Sequence, residues 1–125
     1  MEAKDFLKYK NWVVAGDVLN EMKYAGRIYQ KLNRRGYRVA GLHPKEENPS
    51  VFKSFQEMEG EDEKYEVLNL VINPTRGLEI VKEAEAYGIK MVLAQPGARS
   101  YEIQDFCVKH GMEYVEGCTL VELSY

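Results

Sequence analysis

The chain is short of the residues that announce most kinds of chemistry. Its 125 residues include two cysteines, two histidines, four prolines and one tryptophan. Cys107 and Cys118 form no metal-ligand spacing and no disulfide framework, which sets aside zinc modules and stapled secreted scaffolds. There is no metal motif, no nucleophile elbow and no P-loop. No apolar run approaches the roughly 20 residues that a membrane span requires. The opening Met1-Glu2-Ala3-Lys4-Asp5-Phe6 carries acids and lacks an apolar core, unlike a secretory leader. Surplus positive charge is also missing: the net charge of −3 argues against a broad nucleic-acid surface. Together these absences predict a cytoplasmic protein in a reducing setting.

What is present is ordinary globular composition, 45% hydrophobic and 30% charged. One domain over residues 1–125 is expected, large enough to bury roughly two thirds of its unfolded surface. No internal repeat or low-complexity tract interrupts it.

The stretch Asn11 to Pro44 organises the rest. Asn11-Trp12-Val13-Val14-Ala15-Gly16 is an apolar run closed by glycine, and Asp17 to Lys23 is a polar loop. Tyr24 to Arg35 reads as a helix closed by Gly36, with Ala25, Ile28, Tyr29 and Leu32 at the 3.6-residue period. Tyr37 to Leu42 is a second apolar run, stopped at His43-Pro44-Lys45. This is a βαβ unit of roughly thirty residues, in which ligands sit beyond the carboxyl ends of the strands.

Further on, Glu46 to Pro49 is a turn, Val51-Phe52 a rudimentary edge strand, Ser54 to Met58 a helical turn, and Glu57 to Glu66 an acid-rich solvated loop. Val67 to Ile72 and Ile89 to Ala94 read as strands buried on both faces. Between them lies a helix that Asn73 caps, Pro74 begins and Gly88 ends, with Ile80, Val81, Ala84 and Tyr87 inward. Ser100 caps a last helix on which Ile103, Phe106, Cys107 and His110 share a face. Met112 to Val115 is the final strand, and Gly117 to Tyr125 trails from it. Ala3 to Lys10 is expected as a short helix over an edge of the sheet. The alternation predicts an α/β fold: a three-layer, Rossmann-like parallel sheet of five to six strands with helices on both faces. The preferred strand order is 3-2-1-4-5-6, with Val51-Phe52 as the third strand; without that strand it becomes 2-1-3-4-5.

Four segments then open on one edge: Gly16, His43-Pro44-Lys45, Asn73-Pro74 and Gln95-Pro96-Gly97. Gly16 lets backbone amides approach an anion at a helix start, or serves only a tight turn. The G-x-G-x-x-G fingerprint is absent, and the second strand ends on His43-Pro44 rather than on the acid expected for NAD. Lys45 suits a ribose phosphate, or is a solvated surface lysine. Lys23 and Arg27 stand where cations oppose the helix dipole; an anion bound between them explains this, and two exposed charges also satisfy it. Arg76 invites the same reading. His110 reads as structural and Cys107 as core. Cys118 is either a small buried side chain or a thiol near the ligand edge. No catalytic constellation emerges.

These residues carry a family resemblance over nearly the whole chain. Val13-Val14-Ala15-Gly16, Lys23-Tyr24-Ala25, Gly36-Tyr37-Arg38-Val39 leading to His43-Pro44-Lys45, Gln95-Pro96-Gly97-Ala98 and Gly117-Cys118 follow one another in a familiar order. The chain resembles the small stand-alone CoA-binding proteins, whose Rossmann-like domain also opens succinyl-CoA synthetase alpha subunits. The resemblance implies a non-catalytic module that holds coenzyme A, or acyl-CoA, along the strand ends. It places the phosphates at the turn after Gly16 and at Lys23 and Tyr24. His43, Pro44 and Lys45 then border the adenosine. Asn73, Pro74, Gln95, Pro96 and Gly97 wall the crevice, and Cys118 stands at its far edge. One departure stands out: after the glycine the family has a small residue and then serine, whereas this chain has Asp17 and Val18.

Two other functions are carried forward. One is an NAD(P)-binding redox or sensor domain; the other is an interaction domain with a degenerate nucleotide site, for which Asp17 is the evidence. The expected partner is CoA or a related adenine nucleotide, with a homodimer left open.

Overall fold

A computed structural model describes residues 1–124. Five short strands form: β1 (Asn11–Ala15), β2 (Arg38–Leu42), β3 (Val67–Leu70), β4 (Met91–Ala94) and β5 (Glu113–Glu116). They pair in parallel in the order β2-β1-β3-β4-β5. Helices α1 (Tyr24–Arg34), α2 (Pro74–Tyr87), α3 (Tyr101–Lys109) and α4 (Thr119–Glu122) complete the α/β architecture.

Strand side chains alternate between the two faces, so β1 splits its apolar residues between two cores. Val13 and Ala15 join Leu68, Leu70 and Val92 beneath α2 and α3, which contribute Ile80, Val81, Ile103 and Cys107. Trp12 and Val14 join Val67 and Leu93 on the other face, beneath Ile28 and Leu32 of α1. Each of those two fully buried α1 side chains contributes about 1.5–3 kcal/mol of apolar burial. Asn73 and Ser100 cap α2 and α3 as expected, accepting hydrogen bonds from the amides of Arg76 and Ile103.

Several expectations are corrected. The order 3-2-1-4-5-6 gives way to 2-1-3-4-5, because Val51-Phe52 forms no strand: Phe52 makes a single parallel bridge to Leu42. The preceding turn takes up the amides that an extension would need: Ser50 donates to Asn48 Oδ1 at 2.9 Å and Val51 to the Asn48 carbonyl at 3.1 Å. The first helix is a 3-10 turn, Ala3–Lys8, and it covers a face rather than an edge: Phe6 is fully buried in the core beneath α1. On α3, Ile103 and Cys107 turn inward, but His110 lies exposed at the helix end, stacked on Phe106 with ring centroids 3.9 Å apart. Within the acid-rich loop, Met58 and Tyr65 are buried under the α2 side.

The segment read as trailing from the last strand contains α4, fixed by a buried polar cluster. Asn69 in the middle of β3, Gln95 after β4 and Thr119 at the start of α4 are all fully buried. Asn69 Nδ2 donates to Thr119 Oγ1 at 2.7 Å, and Gln95 Nε2 donates to Asn69 Oδ1 at 2.8 Å. The Thr119 amide donates to Gln95 Oε1 at 3.0 Å. Buried amides left unbonded would cost about 1–3 kcal/mol each, so the cluster ties the chain end to the sheet. No helix among the described residues is long and apolar enough to cross a membrane.

Candidate ligand-binding site

Between β1 and β3 the strand order reverses. The loop after β1 runs to α1 on one face, and the loop after β3 runs to α2 on the other. An open cavity of about 640 Å³ lies where these loops part, at the sheet edge where such folds hold ligands.

Gly16 allows the loop and helix to meet there. A Cβ on it would lie 2.9 Å from the Ala25 Cβ and 3.3 Å from the Val71 Cβ. Its own amide is occupied by the Leu42 carbonyl at 3.1 Å. The amides of Tyr24, Ala25 and Gly26 precede the first helical bond, which Arg27 donates to the Lys23 carbonyl. No acid lies in that first turn.

Lys23, Arg27 and Arg76 line the cavity, and Asp17 is the carboxylate among them. Asp17 is held from two sides: Lys23 Nζ donates to Oδ2 at 2.7 Å, and His43 Nε2 lies 3.5 Å from Oδ1. The Lys23 hydrogen bond is the main reason the Asp17 carboxyl titrates below its ordinary value. His43 Nδ1 accepts from the Lys45 amide at 3.1 Å, which leaves Nε2 as the protonated nitrogen facing Asp17. Val71, Ile72 and Pro96 add apolar surface to the lining.

Of the residues singled out from sequence, Gly16, Asp17, Lys23, Tyr24, Arg27, His43, Asn73, Arg76 and Pro96 line this cavity. The others lie elsewhere. Val18 is buried, its Cγ2 filling the space where a Cβ on Gly41 would sit, 2.4 Å away. Pro44, Lys45 and Gly97 are exposed outside the lining, and Pro74 begins α2. Gln95 is committed to Asn69 and Thr119. Cys118 is half-buried at the start of α4, also outside the lining. Val71 and Ile72 escaped notice because they read as the continuation of β3. The chain leaves the sheet after Leu70 and turns them toward the cavity. Nothing in the sequence marks Met22, which stands 91% exposed at the rim.

The two thiols differ in a measurable way. Cys107 is fully buried, and burial pushes its thiol pKa up to about 11. One thiol equivalent, that of Cys118, is expected to react with a chromogenic disulfide reagent in the folded protein at about pH 8, and both after denaturation. Two rapidly reacting thiols in the native protein would contradict this packing.

Residues 10–124 match the family described as a CoA binding domain. The chain belongs to the CoA-binding domain family. Among solved structures, this CoA-binding domain is similar to a conserved hypothetical protein from Pyrococcus furiosus. The two are 31% identical, with 91% of this chain and 99% of that one covered and a TM-score of 0.79. A hypothetical protein from Pyrococcus horikoshii shares the fold at 24% identity and a TM-score of 0.83, covering 95% of this chain and 85% of that one. An acetyl-coenzyme A synthetase from Ca. Korarchaeum cryptofilum also contains the fold. It is 15% identical, with 88% of this CoA-binding domain matching 26% of the synthetase and a TM-score of 0.65. No curated protein matches the chain.

Proposed function

We propose that this chain binds CoA or an acyl-CoA in the cavity between β1 and β3, without catalysing a reaction of its own. The observation that carries the reading is the ring of Lys23, Arg27 and Arg76 around that cavity at the open start of α1. A diphosphate there meets cations, free helix amides and the positive end of the helix dipole together. The apolar surface of Val71, Ile72 and Pro96 suits a pantetheine arm. Family membership supports CoA over other nucleotides. NAD(P) is the weaker fit, because the three-glycine fingerprint and the ribose-binding acid are both missing. A cytoplasmic setting accords with a thiol ligand and two free cysteines.

Thermal unfolding with and without ligand tests the reading. CoA at about a hundred times its Kd is expected to add roughly 2.7 kcal/mol to stability, with NAD giving much less. Lys23→Ala should cut the CoA response severely, because it removes one phosphate contact and leaves the Asp17 charge unpaired. Millimolar CoA that leaves the melting temperature unmoved would favour the second reading, an interaction domain whose nucleotide site is closed by the Asp17–Lys23 pair.

A further inference from the structure

The loop that leads into α1 shows apolar side chains to solvent. Among the described residues, seven large apolar side chains are exposed, and three of them, Leu19, Met22 and Tyr24, fall between positions 19 and 24. Met22 is the extreme of the seven, at 91%. Scattered apolar exposure is ordinary in a folded protein, but Met22 lines the cavity, together with Tyr24. Its backbone is fixed all the same. The Met22 amide donates to Asn20 Oδ1 at 3.0 Å, and the next amide, that of Lys23, donates to the Asn20 carbonyl at 3.0 Å. The free protein gains nothing from burial of this thioether, whereas a ligand that covered it would.

We propose that Met22 packs on the dimethyl-bearing carbon of the pantoyl group and so selects CoA over nucleotides that lack it. The assignment rests on CoA occupying the cavity. Met22 immediately precedes Lys23, the N-cap of α1, so it adjoins the place where helix amides and cations receive a diphosphate. The two sides of that diphosphate differ in chemistry. Towards the adenine comes a ribose, whose surface is largely hydroxyl and ether oxygen. On the other side come a methylene and then a quaternary carbon carrying two methyls. Of the groups that flank the diphosphate, this branched carbon is the apolar one, and apolar cover is what Met22 offers. In ADP nothing follows the diphosphate, and in NAD a second ribose does. The adenosine ribose has its own seat in folds of this kind, at the end of the second strand, here beside His43. An unbranched thioether with three rotatable bonds can close around a bulky quaternary carbon without strain.

The test compares CoA with adenosine 3′-phosphate 5′-diphosphate, which is CoA without its pantetheine arm, by isothermal titration. Met22→Ser is expected to weaken CoA about tenfold and to leave the truncated nucleotide within about twofold of wild type, and Met22→Leu to restore most of the CoA affinity. A side chain this exposed carries little of the fold, so both variants should melt with wild type. A second readout needs no variant. Dilute hydrogen peroxide transfers one oxygen to the Met22 sulfur and leaves water, and peptide masses follow the sulfoxide. Bound CoA should slow that oxidation severalfold, and the truncated nucleotide should not. CoA affinity undiminished in Met22→Ser, an equal loss for both ligands, no recovery in Met22→Leu, or oxidation unaffected by CoA would each overturn the proposal while CoA binding itself stood. Wild-type protein that binds neither ligand would overturn the CoA reading and this assignment together.

Discussion

Asp17→Asn is expected to tighten CoA binding by about ten- to a hundredfold, measured by isothermal titration. The wild-type carboxylate lies within the cationic ring and occupies Lys23, the cation next to the free helix amides. A ligand phosphate entering that ring meets a like charge and must compete for the lysine. Two unit charges about 5 Å apart at an effective dielectric near 20 repel by about 3 kcal/mol. The Asp17 side chain is 41% exposed, so solvent screening reduces that figure. The remaining ~1.4–2.7 kcal/mol corresponds to the stated gain. Asparagine keeps the shape and removes the charge, so the loop should be undisturbed. Acidification is no substitute for the mutation. Lys23 holds the Asp17 carboxyl below its ordinary value of 3.8, so the group stays ionised at pH 5 and the repulsion persists. Affinity that is unchanged or weaker in Asp17→Asn would mean that the carboxylate organises Lys23 and His43 for the ligand rather than opposing it.

This aspartate illustrates what a linear reading captures. The turn after Gly16, the α1 start at Lys23 and Tyr24, and the β2 end at His43 were legible because strand, glycine and helix period fix which edge each residue reaches. The family could be read from the same residues, and residues 10–124 match it. Partnerships between side chains were not legible. That Asp17 is gripped by both Lys23 and His43 depends on loop geometry across 26 residues of sequence. Gln95 sits at a strand end like its neighbour Pro96, yet it points into the core because Asn69 and Thr119 offer it bonds. Sequence patterns also treat a buried asparagine in a strand as an anomaly, and so they miss α4, which that asparagine helps to anchor. Val51-Phe52 has strand composition, but one bridging residue is all that the turn before it allows.

Gly26→Ala is expected to destabilise the protein by about 2–4 kcal/mol and to abolish its response to CoA. Intrinsic propensity predicts the opposite sign, since alanine is favoured over glycine in a helix by about 1 kcal/mol. Contact decides the matter. A Cβ on Gly26 would lie 2.0 Å from the Asn20 carbonyl oxygen, 2.4 Å from its carbon and 2.9 Å from the Glu21 nitrogen. All three are backbone atoms, so no rotamer change relieves the clash; the loop between Gly16 and α1 must move. That loop carries Asp17 and Lys23, and its turn is held by the Lys23 amide bonding the Asn20 carbonyl at 3.0 Å. Forcing it outward breaks this bond, opens the seam over Ala25 and Ile28, and displaces the cationic ring from the helix amides. Overpacking of this kind costs about 1–3 kcal/mol before the lost hydrogen bond is counted. Gly60→Ala is the control: nothing lies within 4 Å of its added Cβ and its φ is not positive, so its melting temperature should stay near wild type. Should Gly26→Ala melt at or above wild type, the close seat of the loop on α1 would be wrong, and with it the geometry that places Lys23 beside the helix start.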